Sequence, residues 1–295
     1  MAETFRRLLG DENGGPVIVP GATDALMAKL IEAHGFQAVY VTGSGTAATI
    51  YGLPDVGLVT MTEMLGNVER ITRAVGIPVI VDADTGYGNA VNVIRTVQEY
   101  ERAGVSAIQL EDQVFPKKCG HMEGKAVVST AEMVGKIRAA IDARRSADTV
   151  IIARTDALAV TGMADALRRA HAFADAGADV IFPEAMTSVD DFAAFAQELC
   201  GVALMANMTE WGKSPLLTAG ELGELGFRIV IFPSAPMRAA QGAISEVLAE
   251  LRSKGTQRDL LGRMYPRQRL YDLLGLDRIY SWEKQYAPTD IPGGE

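Results

Sequence analysis

Short apolar runs rich in β-branched residues recur along the chain, and each ends in glycine or polar residues. They are PVIVPG (16–21), AVYVTG (38–43), PVIVDAD (78–84), AIQLED (107–112), TVIIART (149–155), VIFPEA (180–185), VALMANM (202–208) and RIVIFPS (228–234). Apolar and polar positions barely alternate within them. Strands of a parallel sheet read this way because both of their faces are covered. Segments with helical spacing lie between the runs, at 24–35, 60–76, 90–104, 129–144, 163–177, 188–201 and 218–226. Gly35, Gly76, Gly104, Gly177, Gly201 and Gly226 close six of them, and each is expected to take the left-handed conformation that ends a helix. Segment 129–144 opens with Ser129 and, three residues on, Glu132, the pattern of a reciprocal capping box.

Eight strand-then-helix units predict an α/β fold, a (β/α)8 TIM-type barrel, in a single domain over 1–295. The alternative is an open doubly wound sheet. Its dinucleotide-binding form wants G-x-G-x-x-G after the first strand. Here the first strand runs into GATDAL, and TGSGTAAT after the second lacks the third glycine. Residues 235–286 fall outside the eight units. They read as extra amphipathic C-terminal helices that pack on the barrel or on a neighbouring subunit, and the terminal APTDIPGGE is expected to fray.

Composition narrows the partners. The 295 residues are 48% hydrophobic, enough for a large core. A formal net charge of −9 argues against nucleic acid or an anionic membrane as the main partner. Cys119 and Cys200 make no disulfide framework, and neither a signal-like start nor a long apolar span is present. The expectation is a soluble cytoplasmic protein that acts on a small molecule.

In such a barrel the C-terminal ends of the strands form the active face. Here they carry Thr42-Gly43-Ser44-Gly45, Asp82 and Asp84, Glu111 and Asp112, Arg154-Thr155-Asp156, Glu184, Asn207 and Thr209, and Ser234 followed by Arg238. One aspartate after a strand is usually a helix cap. Carboxylates, an arginine and an amide gathered on one rim are a stronger signal. Asp82, Asp84, Glu111 and Glu184 would crowd one mouth, and like charges in a partly dry pocket call for a hard divalent cation. Oxygen ligands without a His/Cys set favour Mg²⁺ or Mn²⁺ over zinc. Asp82 and Asp84 are two apart on one strand, so the pattern puts both on one side as metal ligands. Arg154 is placed to hold a carboxylate bidentately, and the N–H groups of the 42–45 turn to hold another anionic oxygen.

The connection after the fourth strand, 113–128, is long for a βα loop and contains KKCGHMEGK (117–125). Lys117, Lys118 and His121 would lower the pKa of the Cys119 thiol on approach, and Gly120 and Gly124 would let the loop swing. The bland reading is a solvent-facing basic loop with an incidental cysteine. Zinc is disfavoured because Cys119 and His121 have no second Cys/His pair. Cys200, beside Leu199, reads as packing, and His34 and His171 as ordinary helix residues.

DADTGYGN (82–89), LEDQVFPKKCGH (110–121), IARTDA (152–157), FPEA (182–185) and ANMTEWGKSPL (206–216), in this order, resemble the isocitrate lyase/phosphoenolpyruvate mutase superfamily. The resemblance runs over residues 5–286 and implies a barrel, a homotetramer with a terminal helix swapped between subunits, and carbon–carbon lyase chemistry. By that resemblance Cys119, Glu111, Lys117 and His121 are catalytic, and Asp82 and Asp84 bind Mg²⁺. Thr42, Gly43, Ser44, Asp55, Gly120, Arg154, Glu184, Asn207, Thr209, Arg238 and Arg267 would bind a small carboxylate substrate. Arg238 and Arg267 match the methylisocitrate lyase branch. Trp211, where that branch often has phenylalanine, and PGATDAL depart from it. The implied reaction is cleavage of 2-methylisocitrate to pyruvate and succinate, with Cys119 as proton donor and no base assigned. The alternatives are a sister lyase on a smaller acid (2,3-dimethylmalate lyase or oxaloacetate hydrolase), a carboxyphosphonoenolpyruvate or phosphoenolpyruvate mutase-type isomerase, and a non-catalytic metabolite-binding barrel.

Overall fold

The computed structural model describes residues 1–11 and 14–287. The expectation of a frayed end concerns 287–295, of which 288–295 lie outside the described residues. A helix, α1 (Ala2–Gly10), precedes eight strands. These are β1 (Val17–Ala22), β2 (Val39–Val41), β3 (Val79–Asp82), β4 (Ala107–Glu111), β5 (Val150–Thr155), β6 (Val180–Pro183), β7 (Ala203–Asn207) and β8 (Phe227–Phe232). Between them run α2 (Ala25–Ala33), α3 (Gly43–Tyr51), α4 (Met61–Ala74), α5 (Ala90–Arg102), α6 (Thr130–Ala143), α7 (Leu158–Thr161), α8 (Met163–Asp175), α9 (Val189–Glu198) and α10 (Ala219–Glu224). The strands pair in chain order, and β1 joins β8 in parallel from Val17↔Ile229 to Pro20↔Phe232. That last pairing closes the barrel and excludes the open sheet.

Period-two alternation splits the buried side chains into two clusters. Val19, Tyr40, Ile80, Val150, Ile152, Phe182, Met205 and Ile229 fill the barrel, with Phe5 of α1 packed among them. Their neighbours Val39, Val41, Val79, Val81, Ile151 and Ala153 join the helices outside. The inward row then continues to the strand ends. Tyr40 is followed by Thr42, Ile80 by Asp82, Ile152 by Arg154, Phe182 by Glu184 and Met205 by Asn207. The site is therefore the top layer of the barrel core, made polar.

Two helix ends differ from expectation. Gly76 does not take a left-handed conformation; α4 ends on extended Val75 (φ −128°). The Glu32 carboxylate of α2 instead accepts the Gly76 N–H at 2.7 Å, so the chain leaves α4 without a left-handed turn. The capping box at Ser129 is half formed. Its hydroxyl accepts the Glu132 N–H at 3.1 Å, but the Glu132 carboxylate stands 3.9 Å from Lys136.

The chain divides into two compact units, Met1–Ala239 and Ala240–Glu295. The first is the barrel. The second comprises most of α11 (Ala235–Lys254), a 3-10 turn (Arg258–Arg263), α12 (Arg267–Leu274) and α13 (Leu276–Tyr286). Within it an apolar groove is lined by Ile244, Val247, Leu248, Leu260, Met264 and Tyr265. Among the described residues no helix is long and apolar enough to cross a membrane.

Candidate active site

β3 ends at Asp82, and the chain turns at once: Asp84 has φ 47°, in the left-handed region. Its N–H donates to Asp82 Oδ1 at 3.1 Å. The two carboxylates are thus brought together by a turn rather than by sharing one face of a strand, which corrects the reading from their spacing. Gln109 Nε2 also donates to Asp82 Oδ1 at 3.2 Å, and the Tyr40 hydroxyl donates to Gln109 Oε1 at 2.9 Å. A Cβ at Gly43 would lie 2.9 Å from Asp82 Oδ2, so a residue without one lets α3 begin this close to the pair. Thr42 caps α3, accepting the Gly45 N–H at 3.2 Å. The expected anion-holding turn is in fact this helix N-terminus, whose first N–H groups have no helical acceptor.

Carboxylates outnumber cations around the mouth. Asp55, Asp82, Asp84, Glu111, Asp156 and Glu184 stand with Lys117, Lys125 and Arg154. Lys117 Nζ lies 2.5 Å from Asp55 Oδ1 and 2.9 Å from Asp84 Oδ1. Arg154 is engaged on every side. Its Nε and Nη2 donate to Asp156 at 2.8 and 3.2 Å, Nε is 3.3 Å from Glu111 Oε2, and Nη1 is 3.2 Å from Glu184 Oε2. Burial pushes Asp84 up to about 6, with Lys117 opposing and Asp82 and Asp55 reinforcing the shift. Burial also raises Glu111 well above the usual carboxylate range against the pull of Arg154 and Lys117.

Glu111 Oε1 is buried and accepts no hydrogen bond, and the only partner of buried Asp84 Oδ1 is the Lys117 ammonium at 2.9 Å. Such oxygens, in a site with surplus negative charge and hard oxygen donors, fit a divalent cation. Among the described residues no three His, Cys, Asp or Glu side chains gather on one point. The protein would therefore supply the Asp82–Asp84 pair and water the remaining positions, an arrangement that suits Mg²⁺.

Loop 113–128 is pinched at its neck by a bridge between Gln113 and Val127. From its tip Cys119, Gly120 and His121 line the same cavity as Thr42, Asp55, Asp82, Lys117, Arg154, Asn207 and Arg238. Its volume is about 110 Å³. Asp84 and Glu111 are not among its lining residues. The thiol of Cys119 is raised, not lowered, and burial is the main cause. The neighbouring bases do not act on it as their spacing suggested. Lys117 is engaged with Asp55 and Asp84, and Lys118 Nζ reaches the Glu123 carbonyl. His121 is itself pushed down by burial, against the pull of Glu184. Its Nδ1 accepts the Lys213 N–H at 3.1 Å, which leaves the proton on Nε2, 3.4 Å from Glu184 Oε1.

Gly120 is not a free hinge. A Cβ there would stand 2.5 Å from Arg154 Nη2 and 2.6 Å from Glu184 Cγ, so the loop presses bare backbone onto both. Gly124, at φ 71°, keeps the conformation expected of a turn glycine. Cys200 is exposed, contrary to its reading as packing; Leu199 beside it is buried instead.

On the far wall Asn207 Nδ2 donates to Glu184 Oε2 at 3.2 Å, and Thr209 lines the cavity. Arg238 lies over the Trp211 ring at 5.3 Å, with Nη1 3.1 Å from Glu210 Oε2. Arg267 opens α12 in the second unit. Tyr40 and Lys125 were not among the expected site residues. A tyrosine inside the apolar AVYVTG run was the available sign of the first.

The family model for phosphoenolpyruvate phosphomutase matches residues 5–252. A 2-methylisocitrate lyase of Aeropyrum pernix is 49% identical over 271 residues, 92% of this chain and 86% of its own. A 2,3-dimethylmalate lyase of Eubacterium barkeri is 49% identical over 286 residues, 97% of this chain and 98% of its own. The crystal structure of a 2,3-dimethylmalate lyase, described as a PEP mutase/isocitrate lyase superfamily member, superposes with a TM-score of 0.91 at 41% identity, covering 100% of this chain and 98% of its own. A phosphonopyruvate hydrolase solved with oxalate and Mg²⁺ superposes at 0.88 with 35% identity, covering 97% and 99%.

Proposed function

We infer the reaction from one premise: the chain belongs to the phosphoenolpyruvate mutase/isocitrate lyase superfamily and is one of its carbon–carbon lyases. The reaction is cleavage of 2-methylisocitrate to pyruvate and succinate. The observation that supports it is the Cys119 thiol, kept protonated and facing the cavity that Asp82 and Arg154 also line. Breaking a carbon–carbon bond leaves an electron pair on carbon, and a neutral thiol is the acid that quenches it. A phosphoryl shift has no such need.

Asp82 and Asp84 would hold Mg²⁺, which supplies Lewis acidity toward the substrate's C2 hydroxyl and C1 carboxylate when bound. The N-terminus of α3, with Thr42, Gly43 and Ser44, receives the carboxylate of the pyruvate-forming half. Arg154, fixed by Asp156, Glu111 and Glu184, lines the cavity and presents its positive charge to that half. As the C2 hydroxyl passes its proton to a base, a part the buried Glu111 carboxylate can take, the C2–C3 bond breaks and pyruvate forms. The electron pair on C3 spreads into the carboxylate there, and the Cys119 thiol protonates C3 to give succinate. Asn207, Thr209 and Arg238 face the succinate-forming half. Loop 113–128, closed over the mouth, excludes water.

A second reading, 2,3-dimethylmalate, is favoured by one contact. Arg238 is already paired with Glu210, which suits an acid with one carboxylate fewer. Pyruvate release coupled to lactate dehydrogenase, with Mg²⁺ and each acid in turn, separates the two by kcat/KM. Turnover of neither would overturn the lyase reading for both. We further propose a cytoplasmic homotetramer in which copies meet through the apolar groove of the second unit. Light scattering that gives a monomer would remove that part.

A further inference from the structure

The last residue of KKCGHMEGK takes no part in the reaction described above, yet it is among the most deeply anchored side chains of the loop. The Lys125 side chain is 2% exposed. Its ammonium donates to Asp156 Oδ1 at 2.6 Å and to the Gly120 carbonyl. Gly120 directly follows Cys119. Asp156 is fully buried, holds Arg154 through two hydrogen bonds, and has its own N–H fixed by Asp112 Oδ1 at 2.9 Å. Lys125 also adjoins the pinched neck, where the Val114 N–H donates to the Ala126 carbonyl at 2.8 Å.

The loop tip has other ties: Lys117 reaches Asp55 and Asp84, and His121 Nε2 lies 3.4 Å from Glu184, but neither holds the Gly120 backbone. Gln113 exchanges hydrogen bonds with Lys118 at 2.8 and 3.0 Å, entirely within the loop. His121 accepts from the Lys213 N–H, a neutral contact to another loop. Lys125 joins the Cys119 turn to a charged group of the barrel itself. In a water-poor site such a charge-assisted bond is stronger than a neutral one.

We propose that Lys125 is a positioning residue that holds the Cys119–Gly120 turn against Arg154, so that one buried counter-ion, Asp156, sets both the proton donor and the substrate-binding arginine. Its catalytic consequence rests on reading Cys119 as the acid; its structural content does not.

The test uses the full chain with Lys125→Ala and the milder Lys125→Gln. Cys119 alkylation by iodoacetamide is followed by peptide mass, with exposed Cys200 as internal reference. The Cys119-to-Cys200 rate ratio should rise roughly tenfold or more in Lys125→Ala, the shift that loss of a charge-assisted hydrogen bond produces, and less in Lys125→Gln. kcat should fall in the same order, and added propylamine should recover part of both effects in Lys125→Ala. A wild-type ratio in a variant that melts like wild type overturns the proposal. If Lys125→Ala does not fold, Lys125→Gln decides in the same way. Failure of the acid reading shows separately, as retained turnover in Cys119→Ser, while the alkylation ratio still answers for Lys125.

Discussion

Lys117 Nζ stands 2.9 Å from Asp84 Oδ1 at the mouth of the barrel, with both side chains largely withdrawn from water. The same ammonium holds Asp55, so one cation ties together a carboxylate beyond α3 and a carboxylate beyond β3. Burial opposes the charge on Lys117, but Asp84, Asp55 and Glu111 more than offset it and keep the proton on. Removing it with Lys117→Met strands buried carboxylates, which costs about 3–5 kcal/mol. The loss should be largest in EDTA and partly recovered by Mg²⁺, since a cation on Asp82 and Asp84 takes over the neutralisation. Urea denaturation in both conditions measures it. An equal loss in the two would mean that Lys117 and the metal do not share this task.

The pH dependence follows from Cys119. Burial raises its thiol, the His121 backbone N–H opposes this, and Asp55 reinforces it. A proton donor is active only while it holds its proton. A raised pKa keeps the thiol intact through neutrality and surrenders it only above the ordinary range. kcat should therefore be flat through pH 7 and decline only above the ordinary thiol range. Cys119→Ser should lose that limb and retain about 10⁻² to 10⁻⁴ of the activity, the usual effect of removing a general acid. A decline that sets in below neutrality on the alkaline side would contradict the assignment.

Much of this was legible in the sequence, and for one physical reason. Barrel strands are buried on both faces, so they read as unbroken apolar runs, and any polar residue at their ends stands out. Asp82, Arg154, Glu184 and Asn207 are each the next inward position after a core residue, which is why strand ends named them. What spacing could not reveal is where the charges go. Lys117 and Cys119 are two apart, yet Lys117 turns to Asp84 and Asp55 and leaves the thiol to burial. Asp84 joins Asp82 only through a left-handed turn that the strand pattern does not contain. Lys125 meets Asp156 across 31 residues of sequence, a contact that the closed loop makes and no local pattern encodes.

Gly120 gives a steric prediction. A Cβ there would meet Arg154 Nη2 at 2.5 Å and Glu184 Cγ at 2.6 Å, and both neighbours are pinned by other ion pairs. Gly120→Ala must therefore hold the loop away from the mouth. kcat should drop roughly 10²-fold, the penalty for about 1 Å of misplacement at a reacting centre. The melting temperature should stay near wild type, because the barrel packing is untouched. Calorimetry beside steady-state kinetics makes the comparison. A parallel fall in both would place the damage in the barrel instead.

The turn that carries Asp84 is supported from behind. Asp84, Gly86, Tyr87 and Gly88 have φ of 47°, 83°, 60° and 149°, and the two without glycine's freedom are strained there. Three side chains of the outer helices hold the turn. Thr96 Oγ1 donates to the Gly86 carbonyl at 3.2 Å, the hydroxyls of Tyr87 and Tyr100 meet at 3.0 Å, and Lys136 Nζ donates to the Thr85 carbonyl at 3.1 Å. Lys136 is the charged member and is 3% exposed. Lys136→Met would leave that carbonyl without its donor, at a cost of about 1–3 kcal/mol. Because Thr85 adjoins Asp84, the carboxylate pair should lose its fixed geometry as well, and Mg²⁺ binding should weaken by roughly tenfold, about 1.4 kcal/mol of lost positioning. Isothermal titration with Mg²⁺, beside a melting curve in EDTA, reads the two effects independently. Unchanged Mg²⁺ affinity in a destabilised variant would mean that Thr96 and the tyrosine pair hold Asp84 without Lys136.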